Sequence, residues 1–62
     1  MKLELIKKIR VDKNISLREL ADKSKISYSY ISLLEIGKKN NPSLKVIEQI
    51  AAAHGQPMHR FL

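Results

Sequence analysis

The apolar residues of this chain recur at spacings of three and four, which predicts amphipathic helices throughout and no strand. The first helix is predicted over about residues 3–13, and the fourth begins at about residue 44. The positions that share one face are Leu3, Ile6, Ile9 and Arg10 in the first helix, and Leu44, Ile47, Ile50 and Ala51 in the fourth.

Three serines are placed to begin helices. The segment "SLRE" at 16–19 is typical of a capping box, in which the Ser16 hydroxyl accepts a hydrogen bond from the Glu19 amide and the Glu19 side chain reaches back. The second helix then runs to about residue 23. Ser27 precedes a third helix predicted over 28–36, and Ser43 precedes the fourth.

Glycine and proline mark the helix ends. Gly37 and Gly55 are placed to end the third and fourth helices in a left-handed conformation. Pro57 is expected at the first position of a short fifth helix, where its missing N–H costs nothing. His54 is expected to serve the end of the fourth helix and its dipole. The sequence therefore predicts one compact all-α domain over 1–62, a bundle of five short helices.

The third helix carries apolar residues on two faces. Ile31 and Leu34 lie on one face, and Leu33 and Ile36 lie nearly opposite. One face must pack in the core, so the other is available for a partner. The competing interpretations of this second face are that it contacts another subunit, or that its apolar residues are isolated on the surface.

Glu35 lies at the boundary between these two faces. A carboxylate that is buried or half-buried there requires a cation, because an unpaired charge is costly to remove from water. Arg10, on the core face of the first helix, is the best candidate. The sequence therefore predicts an ion pair between the first and third helices.

The formal net charge is +6, from 12 Lys and Arg against 6 Asp and Glu. A surplus of this size on 62 residues favours a polyanionic partner, most often nucleic acid. Solubility alone is the competing explanation, because small basic domains without such a partner are common.

The chain offers no set of residues for metal or catalytic chemistry. It contains no cysteine, so disulfides and thiolate metal sites are absent. His54 and His59 are five residues apart without a third ligand nearby. No nucleophile can be combined with a base and an orienting group. We therefore expect no enzyme activity, no cofactor, no metal and no small-molecule ligand.

The second and third helices form a candidate helix-turn-helix over about residues 17–36. Ala21 supplies the small residue that is needed where the two helices meet. The apolar residues expected to lock the pair together are Leu20, Ile26, Ile31 and Leu34.

Four segments carry a wider resemblance: "SLRELA" at 16–21, "ISYSYISLLEIGK" at 26–38, "NPSL" at 41–44 and "LKVIEQIAAAHG" at 44–55. On these residues the chain resembles the phage-repressor and Cro-like (XRE-type) family of DNA-binding domains from Leu3 to Leu62. The resemblance implies a lambda-repressor-like fold whose third helix lies in the DNA major groove. It also implies that Arg10 pairs with Glu35.

The resemblance, together with the free amides of helix N-termini, divides the expected DNA contacts into two sets. Base-reading residues are expected to be Ser27, Tyr28, Ser29, Ser32 and Leu33. Phosphate-binding residues are expected to be Ser16, Leu17, Arg18, Tyr30, Lys38, Lys39, Asn40, Asn41 and Ser43.

Four positions depart from the pattern of that family. Lys25 stands where glycine is usual, and a left-handed conformation there would cost roughly 1 kcal/mol. Leu17 replaces a frequent glutamine, so only its backbone amide can contact phosphate. Leu33 and Ile36 replace commonly polar residues on the outer face. The base preference of the family therefore does not transfer to this chain.

These features together predict a sequence-specific transcriptional regulator of double-stranded DNA that is expected to act as a repressor. The protein is expected to be prokaryotic or phage-encoded, cytoplasmic and associated with the nucleoid. An inverted-repeat operator and a homodimer are expected, because one recognition helix reads too few base pairs. Met58, Phe61 and Leu62 are expected to supply a small C-terminal dimer contact, weak or completed on DNA.

Two alternatives remain open at this point. The chain could be an antitoxin or a regulatory subunit whose main partner is a protein, with DNA binding secondary. A basic membrane-surface helix over residues 2–13 ranks last, because the core requires its apolar stripe. No membrane partner is therefore expected.

Overall fold

Four α-helices and one short 3-10 helix form the fold in the computed structural model, which describes all residues 1–62. The bounds are Glu4–Asp12 (α1), Leu17–Ser24 (α2), Tyr28–Glu35 (α3), Leu44–His54 (α4) and Met58–Phe61 (the 3-10 helix). Helix α4 packs against α2 and the 3-10 helix, α2 packs against α3, and α1 contacts both α3 and α4. The predicted all-α fold is confirmed.

Ten buried side chains form a single core where these helices meet. They are Ile6, Ile9, Leu20, Ala21, Ile31, Leu34, Ile47, Ile50, Ala51 and Phe61. The predicted face of α4 is wrong at Leu44, which is 60% exposed. Leu44 is the first residue of α4 and precedes the turn in which Ile47 and Ile50 enter the core.

Phe61 is fully buried, and its ring stacks on the His54 ring with the centroids 5.7 Å apart. Its backbone carbonyl accepts a hydrogen bond from the Lys2 amide at 2.7 Å, which joins the two ends of the chain. The assignment of Phe61 to a dimer contact is therefore wrong, because the core already uses the whole ring. Leu62, by contrast, is 48% exposed.

The predicted serine caps are all present. The hydroxyls of Ser16, Ser27 and Ser43 each accept a hydrogen bond from the amide three residues later, at 3.0, 3.2 and 3.2 Å. The reciprocal half of the capping box is wrong. The Glu19 carboxylate instead pairs with Lys23 one helical turn further on, at 3.1 Å.

The ends of α3 and α4 also follow local signals. Gly37 has a φ of +83° and Gly55 a φ of +68°, so both adopt the left-handed conformation that the sequence predicts. Pro57 differs from its prediction: it precedes the last helix with an extended ψ of 145°. That helix is a 3-10 turn of four residues.

Arg10 connects three parts of the fold. Its Nε donates to Glu35 Oε2 at 2.9 Å and its Nη2 donates to Glu35 Oε1 at 3.0 Å. Its Nη1 donates to the Ile15 carbonyl at 2.9 Å. The two charged side chains are only 13% and 5% exposed. Hydrogen bonding to Glu35 raises the pKa of Arg10, so the guanidinium stays charged.

His54 lies in the core and does not cap the helix with its ring. The residue is 1% exposed, and neither ring nitrogen forms a hydrogen bond. The end of α4 is served instead by the Lys13 ammonium, which donates to the His54 backbone carbonyl. Burial lowers the pKa of His54, and the Lys13 charge lowers it further.

The ion pair makes a testable prediction about stability. Replacement of Glu35 with alanine leaves the Arg10 charge partly buried and unpaired, which should cost about 3–5 kcal/mol. A domain of this length has a free energy of unfolding of about 3–9 kcal/mol. We therefore expect Glu35→Ala to be largely unfolded, measured by thermal and urea denaturation. Glu48→Ala, which removes an exposed carboxylate of α4, is the matched control. A Glu35→Ala melting temperature within a few degrees of wild type would contradict the prediction.

The buried histidine makes a second prediction. Below its ordinary pKa of 6.5, the His54 imidazole of the unfolded chain binds a proton that the folded chain does not. The free energy of unfolding should therefore fall as the pH falls below 6.5, by up to about 1.4 kcal/mol per pH unit, and level off below the folded pKa. Denaturation between pH 7.5 and 5.5 measures this slope. His54→Leu should flatten it, whereas His59→Leu, at an exposed position, should keep it. Equal slopes in the wild type and His54→Leu would refute the assignment.

Candidate nucleic-acid interface

Helices α2 and α3 are joined by a tight turn that α4 supports. Lys25, which stands where glycine is usual, adopts the left-handed conformation with a φ of 63°. The buried Ser24 hydroxyl accepts a hydrogen bond from the Ile26 amide at 3.3 Å. Gln49 of α4 donates from its side-chain amide to the Ser24 carbonyl at 3.1 Å. Sequence reasoning missed Gln49, because a hydrogen bond to a residue 25 positions away leaves no local signal.

The two faces of α3 separate as the sequence predicts. Ile31 and Leu34 are 0% and 2% exposed, so their face belongs to the core. On the other face, Ile36 is 63% exposed and Leu33 is half-buried without joining the core cluster. The second apolar face is therefore open on the surface of the domain.

The five expected base-reading residues lie on this open side. The members within the helix fall in an arc of about 140°, at about 100° per residue, and Ser27 is the cap that precedes them. Tyr28 is 49% exposed, Ser27 and Ser29 are also exposed, and Ser32 and Leu33 are half-buried. The fold therefore brings a tyrosine, three serines and a leucine onto one surface.

The loop after α3 is fixed to the end of that helix. The amides of Lys38 and Lys39 both donate to the Leu33 carbonyl, at 2.9 and 3.1 Å. Their side chains are exposed, as are those of Asn40 and Asn41. The buried Pro42 then leads into the exposed cap Ser43. Two lysines and two asparagines therefore project from a backbone that is tied to the open face of α3.

The remaining expected phosphate contacts divide by exposure. Ser16 and Arg18 are exposed at the start of α2. Leu17 and Tyr30 are half-buried and pack against the core. The Leu17 side chain is therefore occupied by the fold, which leaves its backbone amide for an anion.

Positive charge accumulates around the same surface. The first turns of α3 and α4 contain no acidic residue, so no side-chain charge offsets the positive ends of their dipoles. In α2 the first-turn acidic residue is Glu19, which pairs with Lys23. Helix ends of this kind bind anions such as phosphate through their free amides.

Arg18 and Tyr28, expected in different sets, are in contact. The guanidinium carbon of Arg18 lies 5.6 Å from the centroid of the Tyr28 ring. This distance is within the range of a cation–π interaction. The contact joins the start of α2 to the start of α3, and no sequence spacing indicates it.

No three His, Cys, Asp or Glu side chains come together in a group that could hold a metal ion. An open groove of about 430 Å³ between the start of α1 and the end of α3 is lined by both apolar and polar residues, including Met1, Ile36 and Lys39. None of the helices has the length and apolar composition needed to cross a lipid bilayer.

A family model described as helix-turn-helix matches residues 6–61. The chain is 37% identical over 57 residues to the HTH-type transcriptional regulator SinR of Bacillus subtilis (strain 168), covering 92% of this chain and 51% of SinR. It is 35% identical over 63 residues to the HTH-type transcriptional regulator DdrOP3 of Deinococcus deserti, covering 100% and 48%. The chain thus spans about half the length of the curated relatives it matches.

Solved structures of SinR share the whole fold. A crystal structure of SinR in complex with DNA superposes with a TM-score of 0.92 at 34% identity, covering 98% of this chain and 97% of that chain. A SinR–SinI protein complex gives a TM-score of 0.91 at 35% identity, covering 100% of this chain and 60% of that chain.

The left-handed turn makes a prediction about stability. Lys25→Gly removes the strain between the Cβ atom and the backbone, while the greater freedom of glycine in the unfolded chain offsets part of the gain. We expect a net increase in the free energy of unfolding of up to about 1 kcal/mol. Asn14, with a φ of 58°, provides the matched control. Asn14→Gly should gain less, since asparagine tolerates this conformation better than lysine. A loss of stability in Lys25→Gly, measured by urea denaturation, would show that the side chain holds the turn.

Proposed function

Because this chain belongs to the helix-turn-helix family, we propose that it is a transcriptional regulator that binds double-stranded DNA with α3 in the major groove. The observation that carries the proposal is the open face of α3, which lies beside a basic loop and helix N-termini free of unpaired acidic residues. The similarity to SinR, which has been solved in complex with DNA, supports DNA binding by a domain of this fold. The domain proposed for this role is the whole of residues 1–62.

The base-reading part of the proposal rests on the outer face of α3. Ser27, Ser29 and Ser32 carry hydroxyls that donate to or accept from base edges in the major groove. Leu33 supplies an apolar surface suited to the methyl group of thymine. Tyr28 completes this set at the start of the helix. The apolar Leu33 would give this face a base preference that the resemblance alone does not supply.

The phosphate-binding part rests on two helix N-termini and the loop between α3 and α4. The amides near Ser16 and Leu17 begin α2, and those near Ser43 begin α4. Lys38 and Lys39 add positive charge. The remaining members of the phosphate-binding set add hydrogen-bond donors, and they are Arg18, Tyr30, Asn40 and Asn41. Contacts of this kind fix orientation and supply affinity that depends on salt and not on sequence.

Repression from an inverted-repeat operator is the finer form of the proposal. Two copies would place their recognition helices about one helical turn apart. The exposed Leu62 remains available for a C-terminal contact between copies, whereas Phe61 is enclosed in the core and the half-buried Met58 packs against it.

A second candidate function is binding to a partner protein. The structure of SinR together with SinI, which matches this fold, is the observation that favours it. The exposed Ile36, which the base-reading set does not use, would then contribute to a protein interface.

The experiment that tests the proposal begins with selection of bound sites from random duplex DNA, which should yield an inverted repeat. Lys39→Ala should then weaken binding to all duplexes and lower the slope of log affinity against log salt by about one unit. Leu33→Ala should keep that slope and the melting temperature. It should cost about 1–3 kcal/mol at the selected site and much less on random DNA, because it removes a base contact.

Lys8 provides the matched control for lysine removal, because it lies on the side of α1 away from Ile6 and Ile9. Lys8→Ala should lower the salt slope far less than Lys39→Ala. Failure of the wild-type domain to enrich any duplex would refute DNA binding. A Leu33→Ala variant that loses stability or dimerisation while keeping its base preference would assign the outer face of α3 to a protein interface.

A further inference from the structure

We propose that Tyr28 is a positioning residue for Arg18, holding its guanidinium against a DNA phosphate at the place where α2 and α3 begin. This inference rests on the proposed DNA binding and adds a connection between its two sets of contacts. Tyr28 belongs to the expected base-reading set and Arg18 to the phosphate-binding set. Contact between Arg18 and Tyr28 would therefore connect the base-reading set to the phosphate-binding set.

The pair lies at the surface between two helix starts. Arg18 is the second residue of α2, and Tyr28 is the first residue of α3. The Arg18 guanidinium carbon is 5.6 Å from the Tyr28 ring centroid. Both side chains are exposed, and the Tyr28 residue is 49% exposed. The guanidinium is therefore held beside the open face of α3 and remains accessible to a partner.

The hydrogen-bond donors of Arg18 are unused within the chain. The Arg18 side chain forms no hydrogen bond and no ion pair, and the neighbouring Glu19 carboxylate is paired with Lys23. A guanidinium that lies over an aromatic face keeps its N–H groups free at its edge, where they match the geometry of a phosphate. The Arg18 guanidinium is thus free to bind an anion beside the Tyr28 ring.

The location of this charge also favours an anionic partner. Arg18 lies in the first turn of α2, where a cation opposes the positive end of the helix dipole. Within the free domain the Arg18 guanidinium forms no ion pair. A phosphate between the two helix starts would interact favourably with the guanidinium and with the free amides of both helices.

Preorganisation explains what Tyr28 would contribute. An arginine side chain loses rotamer freedom when it binds, and contact with the ring removes part of that freedom beforehand. An exposed cation–π contact is of a strength that corresponds to about a two- to fivefold change in affinity. Because a phosphate contact does not depend on sequence, this effect should appear equally on selected and random duplexes.

A double-mutant cycle tests the coupling. Affinities of the wild type, Arg18→Ala, Tyr28→Leu and the double variant are measured on the selected duplex and on a random duplex. We expect the single effects to be non-additive by about two- to fivefold on both duplexes. Arg18→Ala should lower the salt slope by about one unit. Tyr28→Phe, which keeps the ring, should retain the coupling that Tyr28→Leu loses.

The matched control cycle combines Arg18→Ala with Leu33→Ala, which should be additive because those side chains belong to different contacts. All variants should keep the melting temperature of the wild type. Additive effects of Arg18→Ala and Tyr28→Leu on random DNA would overturn the inference while DNA binding stands. Loss of affinity in Tyr28→Leu at the selected duplex alone would overturn it too, leaving Tyr28 as an independent base reader.

A measurement without DNA separates the inference from the proposed function. The Arg18 side-chain protons should show an upfield ring-current shift in NMR spectra of the free domain. Tyr28→Phe should keep this shift and Tyr28→Leu should abolish it. Absence of the shift in the wild type would overturn the positioning role whatever the DNA affinity. A wild type that shows the shift but binds no duplex would refute the proposed function and, with it, the phosphate-holding role.

Discussion

The placement of the proposed DNA-binding surface depends on the hydrogen bonds of the Arg10 guanidinium. Two of its hydrogen bonds hold Glu35, the last residue of α3, and a third holds the carbonyl of Ile15 just before the cap of α2. The start of α2 and the end of α3 are thereby fixed to the same side chain of α1. A buried ion pair contributes little net stability over an apolar replacement, so its main effect here is on geometry. That geometry turns one face of α3 towards the core and leaves the other open.

Further hydrogen bonds to backbone carbonyls fix both ends of α3. Gln49 holds the carbonyl of Ser24 in the turn before the helix, and the Leu33 carbonyl accepts two amides of the loop that follows. The groups proposed to meet DNA are therefore carried on a fixed backbone, while most of their side chains stay exposed. A site that is ordered before binding loses less conformational entropy on binding. The fold in this way favours recognition of DNA without rearrangement of the domain.

Local chemistry made much of this structure predictable from the sequence. Caps require one hydroxyl and one amide three residues apart, so Ser16, Ser27 and Ser43 identified the starts of three helices. Glycines that adopt positive φ identified two helix ends, and a helical period of 3.6 separated the two faces of α3. Even the pair of Arg10 and Glu35 could be predicted, because a half-buried charge needs an opposite charge. Each inference needed only neighbouring residues or a single strong rule of burial.

The tertiary structure alone decided the contacts between distant residues that have no such rule. It placed His54 against Phe61 in the core. From the sequence, His54 was expected to serve the end of a helix and Phe61 to lie in a dimer contact. It also brought Arg18 onto Tyr28, a contact between two helices. An aromatic or amphipathic side chain can lie in the core or at the surface, because both environments accommodate it. Its location therefore depends on what the rest of the fold leaves exposed. The sequence by itself therefore determined the helices, their caps and the two-sided α3. Only packing determined which rings were buried and which side chains act together at the surface.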